Sequence, residues 1–190
     1  VVIPRATEFR LPNEATDATI QQIYGMLAAD SDRNAMILAD VIQAVRAGRS
    51  PLVLTERTVH LKELAEGLRG HVANIIVLRG GRTDNQRRQL AATLAAVRDC
   101  EERVIVATGR YAGEGFDDAR LDTLFLALPI SWKGTLQQYA GRLHRSYEGK
   151  RVVQVYDYVD AYVPILSRMY ERRLRGYKAM GYVVTDADPV

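Results

Sequence analysis

The sequence of 190 residues is poor in the side chains that build disulfide scaffolds and metal centres. It contains one cysteine, Cys100, and three histidines. A single cysteine cannot form a disulfide within the chain, and three scattered histidines do not make a metal-ligand cluster. The longest apolar runs, such as residues 124–130, are far shorter than the roughly 20 residues that cross a bilayer. No charged segment followed by an apolar one opens the chain. These shortages exclude zinc and disulfide chemistry and predict a cytoplasmic protein without a membrane segment.

The sequence also lacks the glycine-rich phosphate loop, GxxxxGK[ST], of nucleotide hydrolases. Its one Gly-Lys pair, Gly149-Lys150, is followed by Arg151, and His144 stands where the first glycine would be. No DExH sequence is present either. Asp157, which follows an apolar run, is therefore predicted to be a structural or interface acid and not a magnesium ligand. These absences exclude a self-contained nucleotide hydrolase of the phosphate-loop type.

The composition is that of a folded domain with an uneven charge. Hydrophobic residues make up 47% and charged residues 26% of the chain, which suits one globular core. The net charge is +3, but residues 133–178 contain ten basic and four acidic side chains, whereas the remainder has 16 basic and 19 acidic ones. A solvated charged surface and a phosphate-binding surface both fit this asymmetry.

Hydrophobic periodicity predicts alternating strands and helices. Continuous apolar runs predict strands over residues 51–55, 75–78, 104–107, 123–127 and 152–158. Helical spacing predicts helices over residues 15–28, 33–47, 59–68, 83–98, 134–145 and 161–180. Strands of this kind, separated by amphipathic helices, are typical of a parallel sheet covered on both faces. The fold class is therefore predicted to be doubly wound α/β.

The predicted domain organisation follows from the ends of this pattern. Residues 1–14 contain two prolines and are predicted to be an extended interdomain linker. Residues 15–160 form the predicted domain, and 161–190 a basic C-terminal helix and tail. The apolar side of that helix is predicted to consist of Tyr162, Ile165, Leu166, Met169 and Leu174. In a sheet of this class, ligands bind outside the carboxyl ends of the strands.

A glycine-bearing loop follows one of these strand ends. It runs from Thr108 to Asp117 and contains Gly109, Gly113 and Gly115, which let a backbone approach a phosphate closely. Many loops of this kind contain glycine for turn geometry alone, so the loop by itself is a weak indication. A dinucleotide fingerprint fits poorly, because Gly115 is followed by one bulky and two acidic residues where that pattern has a third small residue. The loop disfavours a dinucleotide-binding dehydrogenase.

The second motif lies in the helix predicted over residues 134–145. Arg142 and Arg145 are three residues apart and so share one helix face. Two guanidinium groups can present paired donors to phosphate oxygens, although a solvated face with two arginines would have the same spacing. Tyr139 is predicted to pack in the core. Without further evidence, the spacing of these two arginines favours a solvent-exposed helix face over a phosphate-binding site.

The two motifs together resemble motifs V and VI of superfamily 2 helicases. Thr108, Gly115 and Asp117 match the first, and Gln138-Tyr-Ala-Gly-Arg-Leu-His-Arg145 matches the QxxGRxxR pattern of the second. Residues 52–57 resemble motif IV, and residues 80–88 the turn that follows, so the resemblance covers about residues 50–158 in the expected order. Gln138 and the sequence around Asp117 are more similar to restriction and repair-type enzymes than to RNA-directed ones. The resemblance implies a RecA-like doubly wound sheet with helices on both faces, plus N-terminal helices and a C-terminal basic helix.

The resemblance also implies a role for each matched residue. Arg145 and Arg142 correspond to arginine fingers for the ATP phosphates, and Gln138 to a contact with nucleotide or the attacking water. Gly115 and Asp117 correspond to nucleotide contacts, the latter through the ribose or through an arginine. Nucleic-acid phosphates would be bound by Thr108 and Gly109, with weaker candidates in Arg57 and Arg88.

In the family, a separate domain supplies the phosphate loop that this sequence lacks. ATP and Mg²⁺ would be bound mainly by an N-terminal RecA-like domain of the same polypeptide, and the substrate would be DNA. The predicted function is the second motor domain of a DNA helicase or translocase that is inactive alone. The alternatives are a non-enzymatic nucleic-acid-binding module of the same fold and, third, a small-molecule enzyme on a doubly wound sheet.

Overall fold

Six parallel strands form one sheet at the centre of the molecule. The computed structural model describes residues 1–15, 17–79, 84–109, 118–130 and 136–185. The strands are β1 (Val2–Ala6), β2 (Pro51–Thr55), β3 (Asn74–Leu78), β4 (Arg103–Thr108), β5 (Thr123–Leu126) and β6 (Gln154–Val159). They lie in the order β1-β6-β5-β2-β4-β3, and every neighbouring pair is parallel. The predicted doubly wound α/β fold is confirmed.

Helices cover both faces of this sheet. They are α1 (Ile20–Ala29), α2 (Ser31–Arg46), α3 (Thr58–Gly67), α4 (Asp84–Ala96), α5 (Gln137–Leu143) and α6 (Pro164–Ala179). Asp30 ends α1 and caps α2, since its carboxylate accepts the Arg33 backbone N–H at 2.8 Å. The residues from α2 and α3 pack on one face, for example Ile37 and Leu64 against Val106. The opposite face is covered by α4, α5 and α6.

The central strands β2, β4 and β5 are mostly apolar because both of their faces are buried. Leu52, Leu54 and Ile105 belong to the core on one face, and Val53 and Val104 to the core on the other. This is the pattern expected of parallel strands between two helical layers. A third, smaller cluster joins α1 to the start of α6 beyond the carboxyl end of β5.

The stretch predicted to be a linker is extended and contains the edge strand β1. Val2–Ala6 pair with Val155–Val159 of β6, and Val2 also bridges to Val184. Proline is tolerated in an edge strand because its missing N–H costs no ladder bond on the open side, which accounts for Pro4. The division of the chain at residues 14 and 160 stays a prediction.

One feature of the predicted C-terminal helix is wrong. Of the five residues predicted on its apolar side, Tyr162 and Ile165 are exposed, by 49% and 36%. The buried side of α6 includes Leu166, Tyr177 and a charged residue, Arg173. Arg173 takes a core position because Asp157 of β6 accepts two hydrogen bonds from its guanidinium, both at 2.8 Å. The periodicity of apolar residues alone could not locate that face.

Of the helices that the structure describes, none is long and apolar enough to span a membrane.

Candidate functional site

The carboxyl ends of β2 and β4 lie side by side. Thr55 and Thr108, the last residues of these strands, are opposite each other in the register. The next residues, Glu56 and Gly109, therefore leave the sheet at the same point. This is the edge at which ligands bind in doubly wound sheets.

Gly109 is a point of close approach between three elements. A Cβ at this position would clash with the Glu56 carboxylate and would lie 3.4 Å from the Tyr139 hydroxyl oxygen. The buried Tyr139 hydroxyl donates a hydrogen bond to the Gly109 carbonyl oxygen. A larger residue would have to displace this carboxylate, which is the end of a flexible side chain, so the close approach favours glycine here. The turn after β4, the end of β2 and helix α5 are thus packed onto one another.

Helix α5 presents the predicted motif residues on its outer side. It buries Tyr139, Ala140 and Leu143 against the sheet, which confirms the prediction that Tyr139 packs in the core. Gln138 and Arg145 are exposed and Arg142 is half-buried. Arg145 follows the end of the helix, and its backbone N–H donates to the Arg142 carbonyl oxygen at 3.4 Å. The structure thus places Gln138 and Arg142 on α5 and Arg145 just after its end, while Tyr139 of the same helix contacts the turn at Gly109.

Arg142 and Glu56 both lie close enough to Tyr139 to affect the pKa of its hydroxyl. Burial and, to a smaller extent, the Glu56 carboxylate raise the pKa of Tyr139 to about 12, against the opposing effect of the Arg142 guanidinium. The hydroxyl therefore stays protonated and able to donate to Gly109. Partial burial of its own carboxylate raises the pKa of Glu56. Glu56 was not predicted as a site residue, although an acid directly after a buried strand is a signal that could have pointed to it.

The buried side chain of His60 is hydrogen-bonded to Thr55 at the end of β2. His60 Nδ1 lies 2.9 Å from the Thr55 hydroxyl oxygen, and its Nε2 lies 2.9 Å from Asn34 Oδ1. Burial, and then the Arg33 charge, lower the pKa of His60 to about 3, so the ring is neutral. Asn34 Nδ2 donates to the Ala28 carbonyl oxygen, which leaves Oδ1 to accept from Nε2–H, so Nδ1 accepts from Thr55. This chain of hydrogen bonds fixes the strand end relative to α1 and α2.

The remaining predicted site residues lie in different settings. Thr108 is half-buried at the end of β4, and Arg88 is exposed on α4. Arg57 packs against α1, where its guanidinium donates to the Gln21 carbonyl oxygen. Gly115 and Asp117 lie outside the described residues. The roles predicted for all of these residues stay predictions.

Asp157 is a structural acid, as predicted. Its carboxylate is 1% exposed and accepts hydrogen bonds from Arg173 and from the Tyr177 hydroxyl, the latter at 2.9 Å. Both oxygens are thus engaged by α6. Among the described residues, no three His, Cys, Asp or Glu side chains are placed to hold a metal ion together.

The chain is similar in sequence to poxvirus proteins. It is 26% identical over 125 residues to the transcript termination protein A18 of vaccinia virus (strain Ankara), which covers 65% of this chain and 25% of that protein. It is 25% identical over 136 residues to the A18 protein of fowlpox virus (strain NVSL), covering 70% and 29%. The chain thus spans less than a third of the length of these relatives. No family model matches the chain.

Solved structures share the fold. The crystal structure of T4 UvsW superposes with a TM-score of 0.73 at 20% identity, over 97% of this chain and 41% of the other. The C-terminal part of the Fun30 ATPase domain superposes with a TM-score of 0.56 at 15% identity, over 67% and 40%. These two superpositions show that the six-stranded parallel sheet and its helices have the fold of both solved structures.

Proposed function

We propose that the chain is the second motor domain of an ATP-dependent DNA helicase or translocase. It supplies arginine fingers and nucleic-acid contacts to a site whose phosphate loop belongs to an N-terminal RecA-like domain of the same polypeptide. The observation that supports this proposal is the position of α5, which carries Gln138 and Arg142 and whose Tyr139 packs against the Gly109 turn at the carboxyl ends of β2 and β4. The Fun30 "ATPase domain" supports an ATP-driven motor, and the name of the A18 transcript termination protein supports action on nucleic acid.

The side chains of this site suit phosphate oxygens. Arg145 and Arg142 carry permanent charge and paired donors, which fit the γ-phosphate as negative charge shifts during transfer. Gln138 orients the nucleotide or the attacking water, and Gly115 and Asp117 contact the nucleotide. Magnesium, which neutralises phosphate charge, is assigned to the N-terminal domain, as the resemblance to superfamily 2 helicases implies.

We further propose that nucleic acid contacts the chain through its phosphates. Thr108 and Gly109 offer a short hydroxyl and backbone groups at the strand end, and Arg57 and Arg88 are additional candidates. The basic excess of residues 133–178 includes an arginine row on α6. Arg168, Arg172 and Arg175 are exposed at i, i+4 and i+7. Within the part of the chain that the structure describes, none of the three forms an ion pair or hydrogen bond through its side chain.

Replacing Arg168, Arg172 and Arg175 together by glutamine should weaken DNA binding and reduce its salt dependence. Each DNA phosphate that an arginine no longer neutralises takes about 0.7 to 0.9 off the slope of log K against log salt, so the slope should fall by about 2 to 3. The measurement is fluorescence anisotropy with a labelled oligonucleotide of arbitrary sequence across a salt series.

The matched control removes three exposed charges from the other helical layer. Glutamine at Arg46, Lys62 and Arg69 causes the same change in net charge, and it should leave the slope within experimental error of the unmodified chain. An equal fall in both variants would mean that only overall charge matters. An unmodified chain that does not bind DNA even at low salt would contradict the nucleic-acid role itself.

A further inference from the structure

Lys150 forms three hydrogen bonds to backbone carbonyl oxygens from two separate segments. Its Nζ donates to Ala119 at 2.7 Å, to Leu143 at 2.9 Å and to Arg145 at 2.8 Å. An ammonium group has three N–H donors, and all of them are used here. The lysine lies in the turn after α5, where its own N–H donates to the Tyr147 carbonyl oxygen.

One of these carbonyls belongs to the last residue of α5, and a second lies two residues beyond it. Leu143 is the last residue of α5, and the last carbonyls of a helix have no partner within it. A cation at that end satisfies them and also interacts favourably with the helix dipole. Arg145 lies beyond the helix, and the 3.4 Å bond from its N–H to Arg142 is long. The helix alone therefore fixes the backbone of Arg145 poorly, and the lysine bond to its carbonyl adds a second anchor.

The third carbonyl belongs to a turn that is itself fixed to the body of the domain. Ala119 lies between Asp118, which pairs with buried Arg103 at 2.5 Å, and Arg120. The Arg120 guanidinium donates to the carbonyl oxygens of Arg98, Asp99 and Glu101 before β4. Lys150 thus ties the backbone of Arg145 to an anchored turn that directly precedes β5.

We infer that Lys150 is a positioning residue that fixes Arg145 for its contact with the ATP phosphates. This inference rests on the finger role proposed above for Arg145. A catalytic group that is displaced by about 1 Å can lose on the order of 100-fold in rate, whereas binding of the bulk of the substrate is less affected. Losing Lys150 should therefore lower kcat and leave the KM for ATP almost unchanged.

The test uses Lys150→Met in the full polypeptide that joins this chain to its phosphate-loop domain, with DNA-stimulated ATPase as the readout. Methionine keeps the length of the stem and removes the three donors. We expect kcat to fall by about 10-fold and the KM for ATP to change by less than about 2-fold. Arg151→Met, an exposed neighbour, is the control and should retain normal turnover. Normal turnover in folded Lys150→Met protein would overturn the inference.

A double-mutant cycle separates positioning from general stabilisation. In an Arg145→Ala background, Lys150→Met should change kcat by less than about 2-fold, because the group it positions is gone, while its effect on Tm should persist. A further 10-fold loss of kcat in that background would overturn the inference. If Lys150→Met does not fold, Lys150→Gln is judged by the same criteria. Normal turnover of Arg145→Ala alone would contradict the proposed function, whereas a large loss there combined with a silent Lys150→Met contradicts only the positioning role.

Discussion

Replacing Arg145 by alanine is expected to lower DNA-stimulated ATP turnover by about 100-fold or more in the protein that contains both motor domains. In the proposed finger role the guanidinium contributes most when charge develops on the transferred phosphoryl group, so nucleotide binding should suffer less than turnover. Arg145→Lys should rescue poorly, because a point charge on a flexible stem does not reproduce the planar fork. The measurement is steady-state ATPase at saturating ATP and DNA, with folding checked by circular dichroism.

Two further variants define the specificity of this effect. Arg142→Ala should behave similarly or should uncouple hydrolysis from movement along DNA, since Arg142 belongs to the same QxxGRxxR pattern. Arg98→Ala removes an exposed arginine whose partner is Glu101, and it should leave turnover almost unchanged. Near-normal turnover in folded Arg145→Ala protein would show that the fingers lie elsewhere, and α5 would then be a charged surface helix.

The largest effect on stability is expected from Asp160, which ends a buried network. Its carboxylate accepts hydrogen bonds from Arg33 Nε at 2.9 Å and from the Thr7 hydroxyl at 2.6 Å. Arg33 and Asp160 are both 1% exposed. Asp160→Ala would leave the guanidinium buried without its counter-charge, so the free energy of unfolding should fall by about 3 to 5 kcal/mol. Urea denaturation followed by circular dichroism measures this change.

Two controls test whether the loss comes from the uncompensated charge. Replacing both partners, as Arg33→Met with Asp160→Leu, should recover most of the stability, because the buried charge is then absent. Glu8→Ala breaks an exposed ion pair with Arg10 and should have little effect. A loss below about 1 kcal/mol for Asp160→Ala would mean that water or other groups solvate Arg33 in the variant.

Most of the fold could be predicted because the central strands are buried on both faces. Strands β2, β4 and β5 are continuous apolar runs, and their predicted bounds differ from the observed ones by at most one residue at either end. Strand β1 was not predicted. It contains Pro4 and Arg5 and pairs on one side along most of its length, so it lacks the apolar run that marked the others.

The sequence pattern singles out the motif residues, but it does not reveal which other residues pack against them or bind their backbone. Arg142 and Arg145 belong to a pattern of residue types at fixed spacing. Glu56 belongs to no such pattern, and only the close approach of its carboxylate to Gly109, 53 positions away, marks it as part of the site. Lys150 acts on backbone carbonyls, which every residue has, so no residue pattern marks its partners. Arg173 looked like part of the solvated side of α6 because its partner Asp157 lies in another element.

The central claim is that this chain provides one half of an ATP site, and magnesium-dependent ATP hydrolysis by the purified 190-residue chain tests it most directly. The chain contains the arginine motif but no phosphate loop. We therefore predict no turnover above background, with or without DNA, and weak ATP binding at best. The Arg145→Ala chain, purified in parallel, reveals any contaminating ATPase as activity common to both. Robust turnover by the unmodified chain that this substitution abolishes would contradict the claim.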